Sequence, residues 1–361
     1  MAYRGPKLRV GILGATGMVG QRFVTLLSTH PWFETVLVAA SPRSAGRPYA
    51  EAVSGRWRIA ETMPDGVRSL VVADVQEVAK IAPKVDFVFC ALDLDKTEIQ
   101  RLENAYAAAG IPVVSNNSAH RWTNDVPMIM PEVNPEHLAL IDVQRKNHGW
   151  QRGFVVVKPN CSLQSYVPAI AALREYGPEA LFITTYQAIS GSGKTLATAP
   201  EIIDNVIALP GEEDKSEKEP LKILGELSGA AVNNAQIKIS AHCNRVACED
   251  GHMVMVSAKF SRHPSREQVL EAWRSWKPLP QQLGLPSAPQ PCLTYLDQPD
   301  RPQTRLDRTI GAGMGIALGR LRPCNLLDYR FMALSHNTIR GAAGGAILTA
   351  ELLVEKGYLA Y

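Results

Sequence analysis

Long apolar runs, blocks of like charge and paired cysteines are all missing from this 361-residue sequence. No stretch reaches the ~18 apolar residues that a membrane-spanning helix needs, so we expect no membrane partner. The 38 basic and 35 acidic residues leave a net charge of only +3 and form no basic arm, which argues against a nucleic-acid partner. Residues 1–7 lack the features of a signal peptide, and we therefore expect a cytoplasmic protein.

The six cysteines occur in no CxxC pair and at no metal-ligand spacing with the histidines. In a cytosolic chain of this size they are predicted to be free thiols, and no metal site is expected. Five of them are interpreted as structural residues, namely Cys90, Cys243, Cys248, Cys292 and Cys324.

The first part of the chain alternates short apolar strands with amphipathic helices, in a chain long enough for two domains. The predicted strands cover 8–13, 36–40, 85–90, 112–115 and 154–157, and the predicted helices cover 18–27 and 96–109. Asp95 is the expected N-cap of the second helix and Gly110 its end. Such alternation predicts a parallel sheet with helices on both faces.

After about Val157 the predicted strands become longer and follow one another more directly, which favours a mixed, largely antiparallel sheet. These strands cover 181–187, 237–246, 252–260, 309–321 and 326–335, and helices are predicted at 162–175 and 266–276. The Pro-rich segment 277–302 is expected to be a long surface excursion. Residues 339–355 form a predicted helix that returns to pack on the first domain.

A glycine-rich turn follows the first strand and opens the first helix, the position of a dinucleotide-binding turn. Glycines there allow close approach of a pyrophosphate, and free N–H groups at the helix start bind its charge. The alternative is an ordinary tight turn between strand and helix. The predicted cofactor contacts are Gly14, Ala15, Thr16, Gly17, Met18 and Val19.

The end of the second strand indicates which dinucleotide binds. An NAD enzyme places an acidic residue there for the ribose hydroxyls, whereas this chain has Ser41, Arg43 and Ser44. Hydroxyls and a guanidinium suit a 2′-phosphate, so we predict NADP; the alternative is a solvated loop arginine.

A second glycine-rich segment, 190–195, resembles the end of a phosphate-binding P-loop. That motif requires a glycine where this chain has Ala188, and the segment follows a later strand. A kinase or ATPase is therefore not predicted.

Cys161 is the candidate nucleophile, because it follows a strand directly and precedes a helix. A cysteine at a helix N-terminus is expected to have a lowered thiol pKa, and the Asn160 amide could help to stabilise an oxyanion. His252 is the candidate base, since a polar turn brings it close to Arg245. From the local pattern alone, a structural cysteine and a structural histidine stay open as alternatives.

Taken together, the motifs resemble those of the aspartate-semialdehyde dehydrogenase family over nearly the whole length, in a form closer to its archaeal and fungal branch. They are GATGMVG at 14–20, SNNSAHR at 115–121, PEVN at 131–134, PNCS at 159–162, YQAISG at 186–191, EPLKILG at 219–225, CNRV at 243–246, DGH at 250–252 and SHN at 335–337. The resemblance implies an α/β fold, with a Rossmann-type parallel-sheet NADP-binding domain and an α+β catalytic and dimerisation domain. We expect the first at 1–157, completed by 338–361, and the second at 158–337.

The resemblance also implies roles for individual residues. Cys161 is similar to the family's nucleophile and His252 to its acid/base. Arg245 matches the arginine that grips the substrate α-carboxylate. Glu219 matches the acidic residue near the substrate amino group, and Gln187 lies where the family orients the acyl group.

Two further groups of residues follow from the same resemblance. Arg121 and Lys222 match the cationic pair that holds the departing phosphate. Ser192 and Gly193 are similar to part of the loop on the nicotinamide side, and Asn337 to a contact of the nicotinamide amide.

The reaction that the resemblance implies is the reduction of L-aspartyl 4-phosphate to L-aspartate 4-semialdehyde by NADPH, through a thioester. This step belongs to lysine, threonine and methionine biosynthesis, and a homodimer or homotetramer is expected. The nearest alternative is malonyl-CoA reductase, which uses a similar sequence pattern. N-acetyl-glutamyl-phosphate reductase and glyceraldehyde-phosphate dehydrogenase are more distant, and a non-catalytic NADP sensor would not need the same cysteine, histidine and arginine.

Overall fold

The computed structural model describes residue 3 and residues 5–359. The predicted domain bounds at 1 and 361, and part of the segment 1–7, lie outside the described residues. Within them the strands are β1 Leu8–Leu13, β2 Phe33–Ala40, β3 Ala73–Asp74, β4 Phe87–Cys90, β5 Val113–Ser115, β6 Val155–Val157, β7 Pro178–Gln187, β8 Val206–Ala208, β9 Glu226–Ser228, β10 Ala231–Asn233, β11 Lys238–Val246, β12 His252–Phe260, β13 Leu293–Leu296, β14 Ile316–Pro323 and β15 Tyr329–Ser335.

The α-helices of the same residues connect these strands. They are α1 Met18–Leu27, α2 Tyr49–Ala52, α3 Asp65–Arg68, α4 Val78–Ile81, α5 Lys96–Ala108, α6 Leu140–His148, α7 Leu163–Ala171, α8 Pro210–Ile223, α9 Arg266–Ser275, α10 Leu279–Leu283, α11 Thr304–Asp307 and α12 Gly344–Glu355. Short 3₁₀ turns lie at Ala82–Lys84, Pro135–Ala139, Arg174–Tyr176, Ile189–Ser192, Leu196–Thr198, Pro200–Ile202 and Ile310–Gly313, and a π-helical turn at Ile339–Ala343 leads into α12.

The first sheet contains β1 to β6 in the order β3-β2-β1-β4-β5-β6, and all of its strand pairs are parallel. Every residue of β4 is buried, as expected for a parallel strand covered on both faces. The helix α5 begins as predicted, because the Asp95 carboxylate accepts the backbone N–H of Glu98 at 3.0 Å. The predicted parallel, nucleotide-binding type of sheet is confirmed.

The second sheet joins seven strands of the described chain in the order β13-β14-β15-β12-β7-β11-β8. Its β13–β14 and β7–β11 pairs are parallel and the other pairs are antiparallel, which confirms the predicted mixed, largely antiparallel sheet. Along β7 the side chains alternate between a buried face, with Leu181 and Ile183, and an open face on which Phe182 is 43% exposed. A small hairpin of β9 and β10 stands apart.

The C-terminal helix α12 lies against the first sheet. Its buried residues Ile347 and Leu352 belong to the same apolar cluster as Val10 of β1 and Phe23 of α1. Among the described residues no helix combines the length and apolarity needed to cross a membrane.

Three predictions about the second part of the chain were wrong. The segment 277–302 is not only a surface excursion, because its apolar residues Cys292 and Leu293 are buried and β13 extends the edge of the sheet. The strand predicted at 309–321 begins only at Ile316, since Gly311 and its neighbour form a left-handed turn. The strand predicted at 326–335 begins at Tyr329, after an exposed turn.

Candidate active site

Cys161 and His252 come together between the two sheets. Cys161 lies in the turn between β6 and α7, and His252 is the first residue of β12. The Sγ atom of Cys161 lies 3.2 Å from Nε2 of the fully buried His252. This distance makes the pair a nucleophile with a hydrogen-bonded imidazole partner.

The hydrogen bonds of His252 determine which of its ring nitrogens carries the proton. The backbone N–H of Ala188 donates to Nδ1 at 3.0 Å, so Nδ1 is an acceptor without a proton. Burial, together with the charge of Arg245, lowers the pKa of His252 well below its usual value, and the ring is therefore neutral. The single proton of the neutral ring then lies on Nε2, directed at the sulfur of Cys161.

The predicted lowering of the Cys161 thiol pKa was wrong. Burial raises the pKa above its ordinary value and the Glu212 carboxylate adds to the rise, while Lys158, Arg121 and Arg245 oppose it. The N-terminus of α7 stabilises a thiolate less than expected. The backbone N–H of Ser162, the residue after Cys161, already donates to the Asn160 side chain and is not available to the sulfur.

Asn160 holds the nucleophile turn in shape. Its Oδ1 accepts the backbone N–H and the hydroxyl of Ser162, and its Nδ2 donates to Glu212 at 2.8 Å. Its own N–H donates to Glu219 at 2.7 Å. One hydrogen of the side-chain amide remains for an oxygen atom bound in the cleft.

Arg121 and Glu219 form a buried ion pair beside this turn. The guanidinium Nη1 lies 2.8 Å from Oε1 of Glu219, and its Nε donates to the carbonyl of Lys158. The predicted phosphate-binding arginine and the predicted amino-group carboxylate are therefore neighbours. A buried pair of this kind fixes both side chains in direction.

Lys222 is placed differently from the expectation that it faces the cleft. Its Nζ donates to the carbonyls of Arg121, Thr123 and Val126, at 2.9, 3.4 and 3.3 Å, and burial lowers its pKa to about 8. Its ammonium group thus holds together the loop of residues 121–126, which carries Arg121. Contact with a bound phosphate would require it to release some of these carbonyls.

Arg245 and Gln187 lie side by side at the ends of β11 and β7, where they are register partners. Gln187 is buried and donates to the hydroxyl of Thr185, and Arg245 donates to the carbonyl of Ala188 at 2.6 Å. A Cβ atom at Gly191 would lie 2.8 Å from Nη1 of Arg245. The glycine therefore leaves room for the guanidinium beside the catalytic pair.

Cys161 lies in the wall of a cleft of about 490 Å³. Its walls include the predicted residues Met18, Val19, Arg121, Asn160, Cys161, Ser192, Gly193 and Asn337. Asn337 is already fixed, because its Oδ1 accepts the N–H of Gly251 and its Nδ2 donates to the Ser190 hydroxyl, both at 2.8 Å.

A second cavity of about 580 Å³ lies at the carboxyl ends of β1 and β2 and shares four wall residues with the cleft. Its predicted residues are Gly14, Thr16, Gly17, Ser41, Arg43 and Ser44. Ala15 lies below them, and its carbonyl accepts the Tyr49 hydroxyl. Only glycine fits at the start of this turn, because Gly14 has a φ of +86° and a Cβ there would lie 2.3 Å from the carbonyl oxygen of Ala91. The glycine turn therefore has the close backbone packing expected after the first strand of a dinucleotide-binding sheet.

Several residues of these walls did not follow from the sequence. Arg47 and Arg56 join Arg43 in the dinucleotide cavity, and Arg47 donates to the carbonyl of Arg43 at 2.8 Å. Lys158, the buried residue immediately before the PNCS segment at 159–162, is a further residue near the site for which the sequence indicated no role. Within the described residues no group of three or more metal-binding side chains is present.

The chain matches two family models that together cover most of its length. Residues 9–141 match the semialdehyde dehydrogenase NAD binding domain, and residues 170–340 match the semialdehyde dehydrogenase dimerisation domain.

Full-length relatives give the same result. The chain is 44% identical over 351 residues to the aspartate-semialdehyde dehydrogenase of Archaeoglobus fulgidus, covering 96% of this chain and 98% of that protein. It is 43% identical over 365 residues to the Aspergillus fumigatus enzyme of the same name, covering 98% and 99%. A crystal structure of the Candida albicans enzyme with NADP superposes with a TM-score of 0.88 at 39% identity, covering 98% of this chain and 100% of that chain.

Proposed function

The chain belongs to the aspartate-semialdehyde dehydrogenase family, and we propose that it reduces L-aspartyl 4-phosphate to L-aspartate 4-semialdehyde through a thioester on Cys161. The proposal depends above all on one observation: Cys161 and His252 form a hydrogen-bonded pair at 3.2 Å beside a cleft that continues into a dinucleotide cavity. No other described cysteine has a histidine hydrogen-bond partner among the residues of the structure.

In the proposed reaction the Cys161 sulfur attacks the acyl carbon of the substrate. A C–S bond forms, the C–O bond to the phosphate breaks, and phosphate leaves beside Arg121. Asn160, in the same wall of the cleft, offers its remaining amide hydrogen to the negative oxygen of the tetrahedral intermediate.

His252 acts as a hydrogen-bond donor in this scheme. Its Nε2–H stabilises the sulfur when it is a thiolate, both before attack and when the aldehyde leaves. The same N–H can donate a hydrogen bond to a tetrahedral oxygen that forms next to the sulfur. The ring stays neutral throughout, because burial makes the charged imidazolium unfavourable, and the aldehyde is released when the tetrahedral oxyanion expels the thiolate.

NADP is the proposed cofactor, and the Candida albicans relative has been solved with it. NADPH, when bound, supplies the hydride. The glycine turn from Gly14 would hold the pyrophosphate and the serines and arginines at 41–56 the 2′-phosphate, while Ser192, Gly193 and Asn337 would face the nicotinamide end.

The substrate's own charges are proposed to bind at opposite sides of Cys161. Arg245 binds the α-carboxylate, since its guanidinium makes no ion pair in the described chain and lies beside His252. Glu219 binds the amino group and Gln187 orients the acyl group. Glu219 already pairs with Arg121. When the substrate binds, its amino group would pair with the Glu219 carboxylate and its phosphate with the Arg121 guanidinium.

We also propose that residues 1–157 and 338–361 form the cofactor domain and 158–337 the catalytic domain, which pairs with that of a second chain. Phe182 is 43% exposed on the open face of the second sheet, and the exposed Val206 and Ile207 lie on its edge strand β8. An apolar face of this kind suits a homodimer, alone or within a homotetramer. The cytoplasmic location stays a prediction.

The direct test measures phosphate-dependent reduction of NADP with aspartate semialdehyde, beside oxidation of NADPH with malonyl-CoA. We expect activity only in the first assay. Cys161→Ala should bind NADP normally and retain less than ~1% of the activity, since a lost nucleophile costs several powers of ten. The matched change Cys248→Ala should leave most of it; reduction of malonyl-CoA alone would replace the proposed substrate.

A further inference from the structure

Lys158 is a buried lysine next to the nucleophile turn. Only 3% of the residue is exposed, and its Nζ makes one hydrogen bond, to the carbonyl of Pro159 at 2.9 Å. Its backbone is held on both sides, because its N–H donates to Ser115 and its carbonyl accepts Nε of Arg121. An ammonium group has three hydrogens to donate, and only one of them has an acceptor here. Burial of such a group costs free energy, which argues that the lysine does more than support the fold.

The start of the C-terminal helix brings Lys158 and Cys161 to the same side. A Cβ at Gly341 would lie 2.9 Å from Cβ of Cys161, and a Cβ at Gly345 would lie 3.2 Å from Cε of Lys158. Gly341 lies in the π-helical turn and Gly345 in the first turn of α12, so the two glycines belong to successive turns. The lysine side chain and the cysteine therefore pack against successive turns of one glycine-lined surface.

The other cations near Lys158 already have carboxylate partners. Arg121 pairs with Glu219 at 2.8 Å, and Arg340 pairs with Glu132 at 2.9 Å. Lys158 makes no ion pair with any residue of the described chain, and its charge is therefore not cancelled locally. Arg245 is also unpaired there, but the proposed substrate carboxylate would neutralise it.

His252 cannot supply this positive charge. Its Nδ1 accepts a backbone N–H and its Nε2 already carries the ring proton, so the neutral ring has no free lone pair for the thiol proton. A thiolate at Cys161 thus needs a cation from elsewhere, in a buried site where charge is costly.

We propose that Lys158 is a positioning residue that acts through Cys161, and that its ammonium group stabilises the thiolate form of the nucleophile. The inference rests on the proposed function for the importance of that thiolate. Burial lowers the pKa of Lys158 to about 7, and the nearby Cys161 charge opposes this shift, so both forms of the amine exist near neutral pH. When the thiol ionises, its S–H bond breaks and the released proton forms a new N–H bond on the neutral amine of Lys158, so the net charge of the pair is unchanged.

Several other charged groups act on the titration of Lys158 and Cys161. Lys158 faces Cys161, Arg121, Glu219 and Arg340, and Cys161 faces Glu212, Lys158, Arg121, Arg245 and His252.

The test is the pH dependence of alkylation at Cys161 by iodoacetamide, in the full-length protein without substrate or cofactor. Mass spectrometry of the Cys161 peptide follows this thiol alone, from pH 6 to 10. Lys158→Met should raise the apparent thiol pKa by about one unit or more, which slows alkylation about tenfold at pH 7.5. Lys158→Arg should keep the rate within about threefold of the parent, because the charge is retained.

The control is Lys80→Met, the same change at an exposed lysine paired with Glu77, which should leave the profile unchanged. If Lys158→Met fails to fold by circular dichroism, Lys158→Gln serves in its place. Identical alkylation profiles for the parent and the uncharged variants would overturn the inference. The assay involves no turnover, so its result stands even if Cys161→Ala keeps its activity and the thioester proposal fails.

Discussion

The backbone N–H of Ala188 donates to Nδ1 of His252 at 3.0 Å, and this bond makes the imidazole a donor toward Cys161. The residue that supplies the N–H directly follows β7, whereas His252 begins the neighbouring strand β12. The tautomer of the catalytic ring is thus determined by how two antiparallel strands end. The histidine can be identified from the sequence, but which of its ring nitrogens carries the proton follows from the pairing of β7 with β12.

His252→Asn should lower the turnover number by about 10²–10⁴-fold and change the Michaelis constants much less. The reason is that the Nε2–H hydrogen bond strengthens mainly in the transition state, where negative charge develops on sulfur or oxygen. Steady-state kinetics in both directions would measure the two constants. A large rise in the Michaelis constant for the semialdehyde with turnover intact would show that His252 binds substrate instead.

The two predicted anion-binding residues should respond differently to removal. Arg245→Leu should weaken semialdehyde binding strongly, since the Arg245 guanidinium lies beside His252 and makes no ion pair in the described chain. Lys222→Ala should raise the Michaelis constant for phosphate and also lower stability by about 1–3 kcal/mol, because two buried carbonyls and the partly buried carbonyl of Thr123 lose a donor. Phosphate kinetics together with thermal unfolding would separate these effects. Unchanged stability would mean that the lysine normally faces the cleft.

Much of the fold follows from local pattern. The strand β1, the helix α1 and the Asp95 cap lie where periodicity and capping place them, because each depends on residues close together in sequence. The β13 strand was missed for the opposite reason: it is short, follows several prolines, and becomes a strand only through its parallel partner β14.

The candidate site shows the same limit. Motifs identify which residues belong to it, but not which of them neutralise one another. The Arg121–Glu219 pair joins residues 98 positions apart, and the three carbonyls around Lys222 come from a distant loop. The importance of Lys158 depends on the glycines of the C-terminal helix, nearly two hundred residues later in the chain.

Arg43→Ala should raise the Michaelis constant for NADP and leave that for NAD almost untouched. An arginine–phosphate contact is worth about 1.5–3 kcal/mol, or roughly tenfold to hundredfold. Because Arg47 lines the same cavity and bonds to the carbonyl of Arg43, we expect the lower end of this range for the single change and a larger effect for Arg43→Ala with Arg47→Ala. Equal losses with both cofactors would show that these arginines support only the shape of the loop.

The stability of the protein should carry a signature of Lys158. Its pKa is about 7 in the folded protein and about 10.4 in an unfolded chain, so between these values the unfolded state binds the extra proton. The free energy of unfolding of the parent protein should therefore rise with pH, relative to that of Lys158→Met, by up to about 1.4 kcal/mol per pH unit above pH 7. Below pH 7 the difference in free energy between the two proteins should not change with pH. Chemical denaturation of both proteins from pH 6 to 8.5 measures this difference, and the comparison cancels the titration of groups that they share. The variant should be the more stable protein at pH 7, because a methionine fills the site without desolvating an amine. A lysine that served only to hold the fold would produce the reverse order, with the variant less stable at every pH.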